Sequence, residues 1–366
     1  MISSQVVAEG EGALGSSASA TAETAQASPR RFVVGFLGSF LAVLAVVLAF
    51  NIVVDPLALA GTGIVPTAVE PDRSVKLDLL QHLKRAPQIL ILGDSRGRQA
   101  QPSQLARLTG HTAFNAAVTG GSAPEAYAFV RFAADRFPQQ KRRYIWFTDN
   151  GLASGTVQPQ LAQDPRARRY LTGVPRFGLG DVKTYLSTDA TRDSWRVFEK
   201  CVLASCRSRI QYDADGSLTE RSLSFLPEDA KSLRRSVRAR IALVKAHPET
   251  FAQARRDLED SRRFVYMERM LAFMNRRGEE PVIVLNPIYP SVYAVQRKMG
   301  FAELRATLWK IRQLRKRGYR FVLVNCEDMR TWHGTADDWS NASHVNRANM
   351  RRELRYIVAH SDGALR

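Results

Sequence analysis

The stretch Gln88-Ile-Leu-Ile-Leu-Gly-Asp-Ser95-Arg-Gly97 decides the fold. Four apolar residues in a row, Ile89 to Leu92, read as a strand buried on both faces. Gly93 can take a backbone angle closed to most residues, and Ser95 follows at the apex of a tight turn. A strand that ends this way presents a nucleophile at the carboxyl edge of a parallel sheet, where open α/β sheets keep their sites.

Four more strand-like runs lie further along: Ala113–Val118, Arg143–Thr148, Val282–Pro287 and Arg320–Cys326. The first three of the five runs alternate with helix-length segments such as Pro124–Phe137, a pattern of right-handed crossovers and a parallel sheet with helices on both faces. About 130 residues separate the third run from the fourth, too many for one crossover. Pro227–Ala246 and Thr250–Arg277 read as long Arg-rich helices there, so a helical insertion over about 151–280 is expected to wall the sheet edge.

Before the first strand the chain changes character three times. Residues 1–31 begin with an Ala-, Ser-, Gly-, Glu- and Thr-rich tail that cannot bury enough surface to fold. Residues 32–54 carry no charge and are apolar except for Gly35, Gly38, Ser39 and Asn51. As a helix this run is about 34 Å long, enough to cross a bilayer. Arg30 and Arg31 precede it and Asp55, Glu70 and Asp72 follow, so the positive-inside rule places the tail in the cytoplasm and the remainder outside. The competing reading is a signal peptide cut near Ala58-Leu59-Ala60, but the apolar run exceeds a usual signal core. Either way the rest is exported. Residues 55–72 read as a linker, followed by a helix over Ser74–Lys84 and one large α/β domain over 73–366.

The chain of 366 residues carries 53 Lys+Arg against 35 Asp+Glu, a net charge of +18. The tail and span contribute two Arg and three Glu, so all of the excess belongs to the exported part. That points to an acidic partner: a polyanionic polymer, an anionic lipid or a nucleic acid; the alternative is an Arg-rich solvated surface. No nucleic-acid-reading motif is present. Three cysteines exclude a disulfide scaffold, and no pair has zinc-ribbon spacing. Cys201 and Cys206 are placed to pair in an oxidising compartment, while Cys326 reads as core. No metal or cofactor is called for.

Gly93-Asp94-Ser95-Arg96-Gly97 also fits the Gly-x-Ser-x-Gly elbow of α/β-hydrolases, but that fold needs several strands before its nucleophile. Here only about 40 residues separate the apolar span from Ser95. The order of motifs instead resembles the SGNH, or GDSL-type, hydrolase superfamily. Gly93-Asp94-Ser95 looks like its first block and Asn115-Ala-Ala-Val-Thr-Gly120 like its second. Thr148-Asp149-Asn150-Gly151 falls where the third belongs, and Asn341-Ala-Ser-His344 looks like the Asp-x-x-His block. One N-terminal span, Asp55-Pro56 and Gly-x-Ser-Arg together are similar to membrane-anchored members that act as exported polysaccharide O-acyltransferases or esterases.

The resemblance implies a three-layer, flavodoxin-like α/β/α fold with a five-stranded parallel sheet. It also implies acyl transfer to water or to a sugar hydroxyl of an envelope polysaccharide or glycolipid. Ser95 would be the nucleophile and His344 the base, within hydrogen-bond reach of each other. The N–H groups of Ser95 and Gly120 and the amide of Asn150 would meet the oxyanion, each donor worth about 10²–10³ in rate. Asn341 departs from the family's acid: its amide can orient the imidazole but supplies no charge, and Asp338 or Asp337 is the candidate substitute. A non-catalytic relative that binds an acidic polymer is the rival expectation. Arg96 and Asp149 are candidates for substrate binding, with an ion pair for Arg96 and a helix cap for Asp149 as the structural alternatives. Trp146, Tyr289, Trp332 and Trp339 fit either sugar stacking or core packing.

Overall fold

The structure, a computed structural model, describes residues 29–56, 60, 62, 64–65, 72–149, 157–172, 179–203, 210–223, 229–246, 260 and 264–366. By its internal contacts the chain divides after Val47. Helix α1, Pro29–Val54, runs across that division, and its 25 residues from Arg30 make it long and apolar enough to cross a membrane. Residues 1–28, most of the expected linker, and Asn150 lie outside the described residues.

After the division the chain is an α/β unit on a five-stranded, all-parallel sheet. Its strands are β1 (Ile89–Gly93), β2 (Ala113–Asn115), β3 (Arg143–Thr148), β4 (Val282–Leu285) and β5 (Val322–Asn325), in the order β2-β1-β3-β4-β5. All five sequence runs contain a strand, each within its expected stretch apart from Gly93. The connections leave β1 and β3 in opposite directions across the sheet, the kind of switch point outside whose carboxyl ends open α/β sheets carry a crevice.

Alternation along the strands builds two cores. Leu90, Leu92, Tyr144, Trp146 and Ile283 face one side, against the helices Ala123–Arg136 and Val265–Arg276. Ile89, Ile91, Ile145, Phe147, Val282 and Val284 face the other, against the C-terminal helix Arg347–Ala359. Every residue of β1 is buried, as expected of a central parallel strand. The helix Ala123–Arg136 starts cleanly: Ser122 and Glu125 form a capping box, with Pro124 in the first turn.

Between β3 and β4 the described segments are mainly helical, including Thr188–Phe198 and Ala230–Ala246. The latter packs on the helix Pro290–Lys298 that follows β4. The helix expected from Pro227 is described from Ala230, and the one expected from Thr250 from Val265. Helix α2 occupies Asp72–His82 rather than starting at Ser74, so the expected linker loses its last residue to it. Cys201 is disulfide-bonded and Cys326 is a buried free thiol; Cys206 lies outside the described residues. Trp146, Trp332 and Trp339 are each no more than 2% exposed, which assigns them to the core and corrects the sugar-stacking alternative. Tyr289 packs edge-on against Trp339.

Candidate active site

Gly93 ends β1 at φ +131°, and a Cβ there would sit 2.1 Å from the Phe147 carbonyl oxygen on β3. Only glycine permits the strand to turn at this point. The next residues lock the turn: Asp94 Oδ1 accepts from the Arg96 N–H at 2.8 Å, and the Asp94 carbonyl accepts from Gly97 N–H at 3.1 Å. Ser95 stands at its apex.

Ser95 Oγ lies 2.7 Å from His344 Nε2, although 249 residues separate them. The histidine arrives on a two-stranded antiparallel hairpin, β6 (Trp339–Asn341) and β7 (His344–Val345). In that tight turn Asn341 Oδ1 accepts from the backbone N–H groups of Ser343 (2.9 Å) and His344 (3.1 Å). Those two bonds identify the oxygen of the amide, since its nitrogen cannot accept. The same oxygen lies 3.0 Å from His344 Nδ1. Nδ1 therefore carries the ring proton, Nε2 is the acceptor, and the Ser95 hydroxyl donates to it. This is the tautomer that general-base activation of serine requires.

What the relay lacks is negative charge. Burial, and then the nearby Arg96 guanidinium, push the His344 imidazole down to about 4, with Asp94 pulling weakly the other way. Asp338, the candidate substitute for the acid, has its hydrogen bonds elsewhere. Its carboxylate accepts from Thr335 Oγ1 at 2.6 Å, Arg352 at 2.5 Å and Asn346 Nδ2 at 3.2 Å, while the far ring nitrogen of His344 is taken by Asn341.

Gly120, at φ +60°, tops the loop after β2. Neither its N–H nor that of Ser95 has a hydrogen-bond partner among the described residues. The loop is pressed against the Ser95 turn: Val118 N–H donates to the Gly93 carbonyl at 3.0 Å, and a Cβ on Gly121 would lie 2.3 Å from that same oxygen. Asn115 acts as an internal clamp. Its Nδ2 donates to the carbonyls of Gly97 (3.0 Å), Arg98 (3.2 Å) and Ala100 (2.7 Å), and its Oδ1 accepts from Ala117 N–H at 3.0 Å.

A second set of residues holds this loop from behind, and sequence reading missed it. Asp72, Arg73 and Lys76 on α2 are buried. Asp72 Oδ2 accepts from Thr119 N–H at 2.5 Å, Arg73 donates to the Thr119 carbonyl at 2.9 Å, and Arg98 donates to the Thr119 hydroxyl. Lys76 Nζ donates to the Ala117 carbonyl at 2.6 Å, and burial, partly offset by Asp72, lowers its pKa to about 7. Arg73 also pairs with the capping Glu125 at 3.1 Å. The available signal was two basic residues, Arg73 and Lys76, beside the apolar positions of a short helix.

Arg96 is held between Asp94 at 2.5 Å and Asp149 at 3.0 Å. Burial opposes its charge, but the two carboxylates outweigh burial and raise its pKa. The ion pair expected as the structural alternative for Arg96 is thus present, and both Arg96 and Asp149 line the cleft described next. No family model, curated protein or solved structure matches the chain.

A cleft of about 300 Å³ opens beside the pair. Ser95, His344, Asp149, Asn286, Gln296 and Arg240 contribute to its walls, the last from the helix Ala230–Ala246 of the insertion. Among the described residues no group of three or more His, Cys, Asp or Glu side chains is arranged to hold a metal ion. A hydroxyl with a neutral imidazole acceptor, two unpaired N–H groups on adjoining turns and an open cleft can support nucleophilic attack on an ester carbonyl.

Proposed function

We propose that the chain is a membrane-anchored, SGNH-like serine esterase or O-acyltransferase that acts on an envelope polysaccharide or glycolipid. The observation that carries this reading is the Ser95–His344–Asn341 relay, with its proton on Nδ1 and Nε2 facing the serine hydroxyl. The sheet order β2-β1-β3-β4-β5, with the nucleophile at the end of β1, is consistent with the flavodoxin-like arrangement expected of that superfamily. The apolar helix α1 supports a single N-terminal anchor, with the tail cytoplasmic and the catalytic unit periplasmic or extracellular.

In this reading Ser95 Oγ attacks the ester carbonyl carbon while its proton passes to His344 Nε2. The oxyanion of the tetrahedral intermediate is met by the N–H groups of Ser95 and Gly120. Collapse expels the alkoxide, which takes the proton from His344 and leaves an acyl-Ser95 ester. Water or a sugar hydroxyl, deprotonated by the same imidazole, then attacks that ester and restores the serine.

The low basicity of His344 favours a second reading, an SGNH-fold protein that binds an acidic envelope polymer without turning it over. The acyl-ester content of envelope glycans, compared between cells with the wild-type protein and with Ser95→Ala, separates the two. A change in ester content supports catalysis. Identical ester content, with no turnover of a simple acetyl ester by the purified protein, supports the binding role.

A further inference from the structure

Two guanidinium groups face the cleft, and they differ in their surroundings. The charge of Arg96 is neutralised in place by Asp94 and Asp149. Arg240 lines the same cleft from an exposed position and has no ion-pair or hydrogen-bond partner among the described residues. Gln296, on the helix against which that of Arg240 packs, also lines the cleft, and its side-chain amide has no partner there. Beneath them Asn286, the residue after β4, is 2% exposed. Neither its Oδ1 nor its Nδ2 is hydrogen-bonded. A buried amide without partners is costly unless something entering the site supplies them.

One unpaired cation beside neutral amide donors suits a singly charged, planar acid. A carboxylate accepts two N–H bonds from a guanidinium fork and still has lone pairs for an amide. The Asp149 carboxylate, about half exposed on the Arg96 side, repels a second acid from that end and leaves the Arg240 end favourable. We propose that Arg240, Gln296 and Asn286 form a subsite for a carboxylate of the bound polymer, so that the chain takes a uronate-bearing polysaccharide. Describing that polymer as the ester substrate rests on the acyl-transfer reading, whereas the subsite itself does not.

The test is calorimetric titration of the full chain, in lipid nanodiscs and with Ser95→Ala to exclude turnover. The probes are tetragalacturonate and its fully methyl-esterified form, which share a backbone and differ in charge. The acid is expected to bind at least roughly tenfold more tightly than the ester, as a charge-assisted guanidinium pair would give. Arg240→Gln should erase that difference, and Gln296→Ala should reduce it. Arg238→Gln, an exposed charge on the same helix that does not line the cleft, should preserve it. Equal binding of the two probes, no binding of either at millimolar concentration, or a difference that survives Arg240→Gln would overturn the subsite. So would its equal loss in Arg238→Gln, which would reduce it to a general basic field. Glycerol phosphate competing as well as galacturonate would overturn the carboxylate assignment. Failure of the acyl-transfer reading would leave these titrations unchanged, so the two claims fail separately.

Discussion

Asn341 holds His344 in the tautomer of a working serine triad without giving it the charge of one. Its Oδ1 sits 3.0 Å from Nδ1, fixed by two backbone N–H groups of the hairpin turn. Geometry and electrostatics therefore part company at a single side chain. The orientation is present, and the stabilisation of imidazolium is not.

Asn341→Asp tests that separation. The substitution replaces an amide with a carboxylate of nearly the same shape, in a turn that already supplies two N–H donors. The acid of a serine protease triad is worth about 10⁴ in rate, so recovery of even part of that should raise kcat for a small acetyl ester by about 10–100-fold. Unchanged or lower kcat, with the fold retained, would mean that charge at this position does not limit the reaction.

The acid limb of the pH–rate profile gives an independent measure. His344 acts as base only when neutral, and its folded pKa lies at about 4 rather than the ordinary 6.5. Protonation should therefore abolish kcat/KM only as pH falls through about 4, with a plateau from pH 5 upward. In Asn341→Asp the limb should move to higher pH, because a carboxylate stabilises the charged ring. A wild-type midpoint near 6.5 would contradict the environment described for His344.

Gly93 is the residue on which the nucleophile turn depends. Gly93→Ala would place a methyl group 2.1 Å from a backbone oxygen at a positive φ, so a loss of about 3 kcal/mol or outright misfolding is expected in urea denaturation. Gly110 provides the control. It also has a positive φ, +76°, but open space around its Cβ position, and Gly110→Ala should cost only about 1 kcal/mol. Equal costs at the two positions would refute the close approach of β1 to β3.

Asp72 tethers the loop that carries Gly120. Asp72→Ala removes the acceptor for Thr119 N–H and leaves Arg98 and Arg73 with one fewer buried counter-charge. A loss of about 3 kcal/mol is expected, together with faster amide hydrogen exchange at Thr119–Gly121 than in the wild type. If exchange there is unchanged, α2 does not hold the loop.

Much of this was legible in the sequence because it rests on short-range rules. Apolar runs marked β1 to β5, and Gly93-Asp94-Ser95 marked a turn with an exposed hydroxyl. His344 was put forward by the likeness of Asn341-Ala-Ser-His344 to the Asp-x-x-His block of the SGNH superfamily, not by a short-range rule. The rest depended on what the chain brings together over distance. Asp72 and Arg73 lie before the helix expected from Ser74, and only tertiary packing shows that they and Lys76 turn inward. The β6–β7 hairpin is too short for periodicity to register. Sequence left Arg96 open between substrate binding and an ion pair, and only the fold shows Asp94 and Asp149 as its partners. Arg240 is one arginine among several on its helix, and only the cleft distinguishes it. Asn286 read as the end of a strand, with nothing in its neighbours to say that its amide would be left unpaired.

The most direct measurement is covalent labelling of the purified full chain with a fluorophosphonate, followed by peptide mass mapping. The Ser95–His344 relay requires a single adduct on Ser95, absent from Ser95→Ala and strongly slowed in His344→Ala. An unlabelled Ser95 under conditions that label a control serine hydrolase, or labelling that is indifferent to His344, would contradict it.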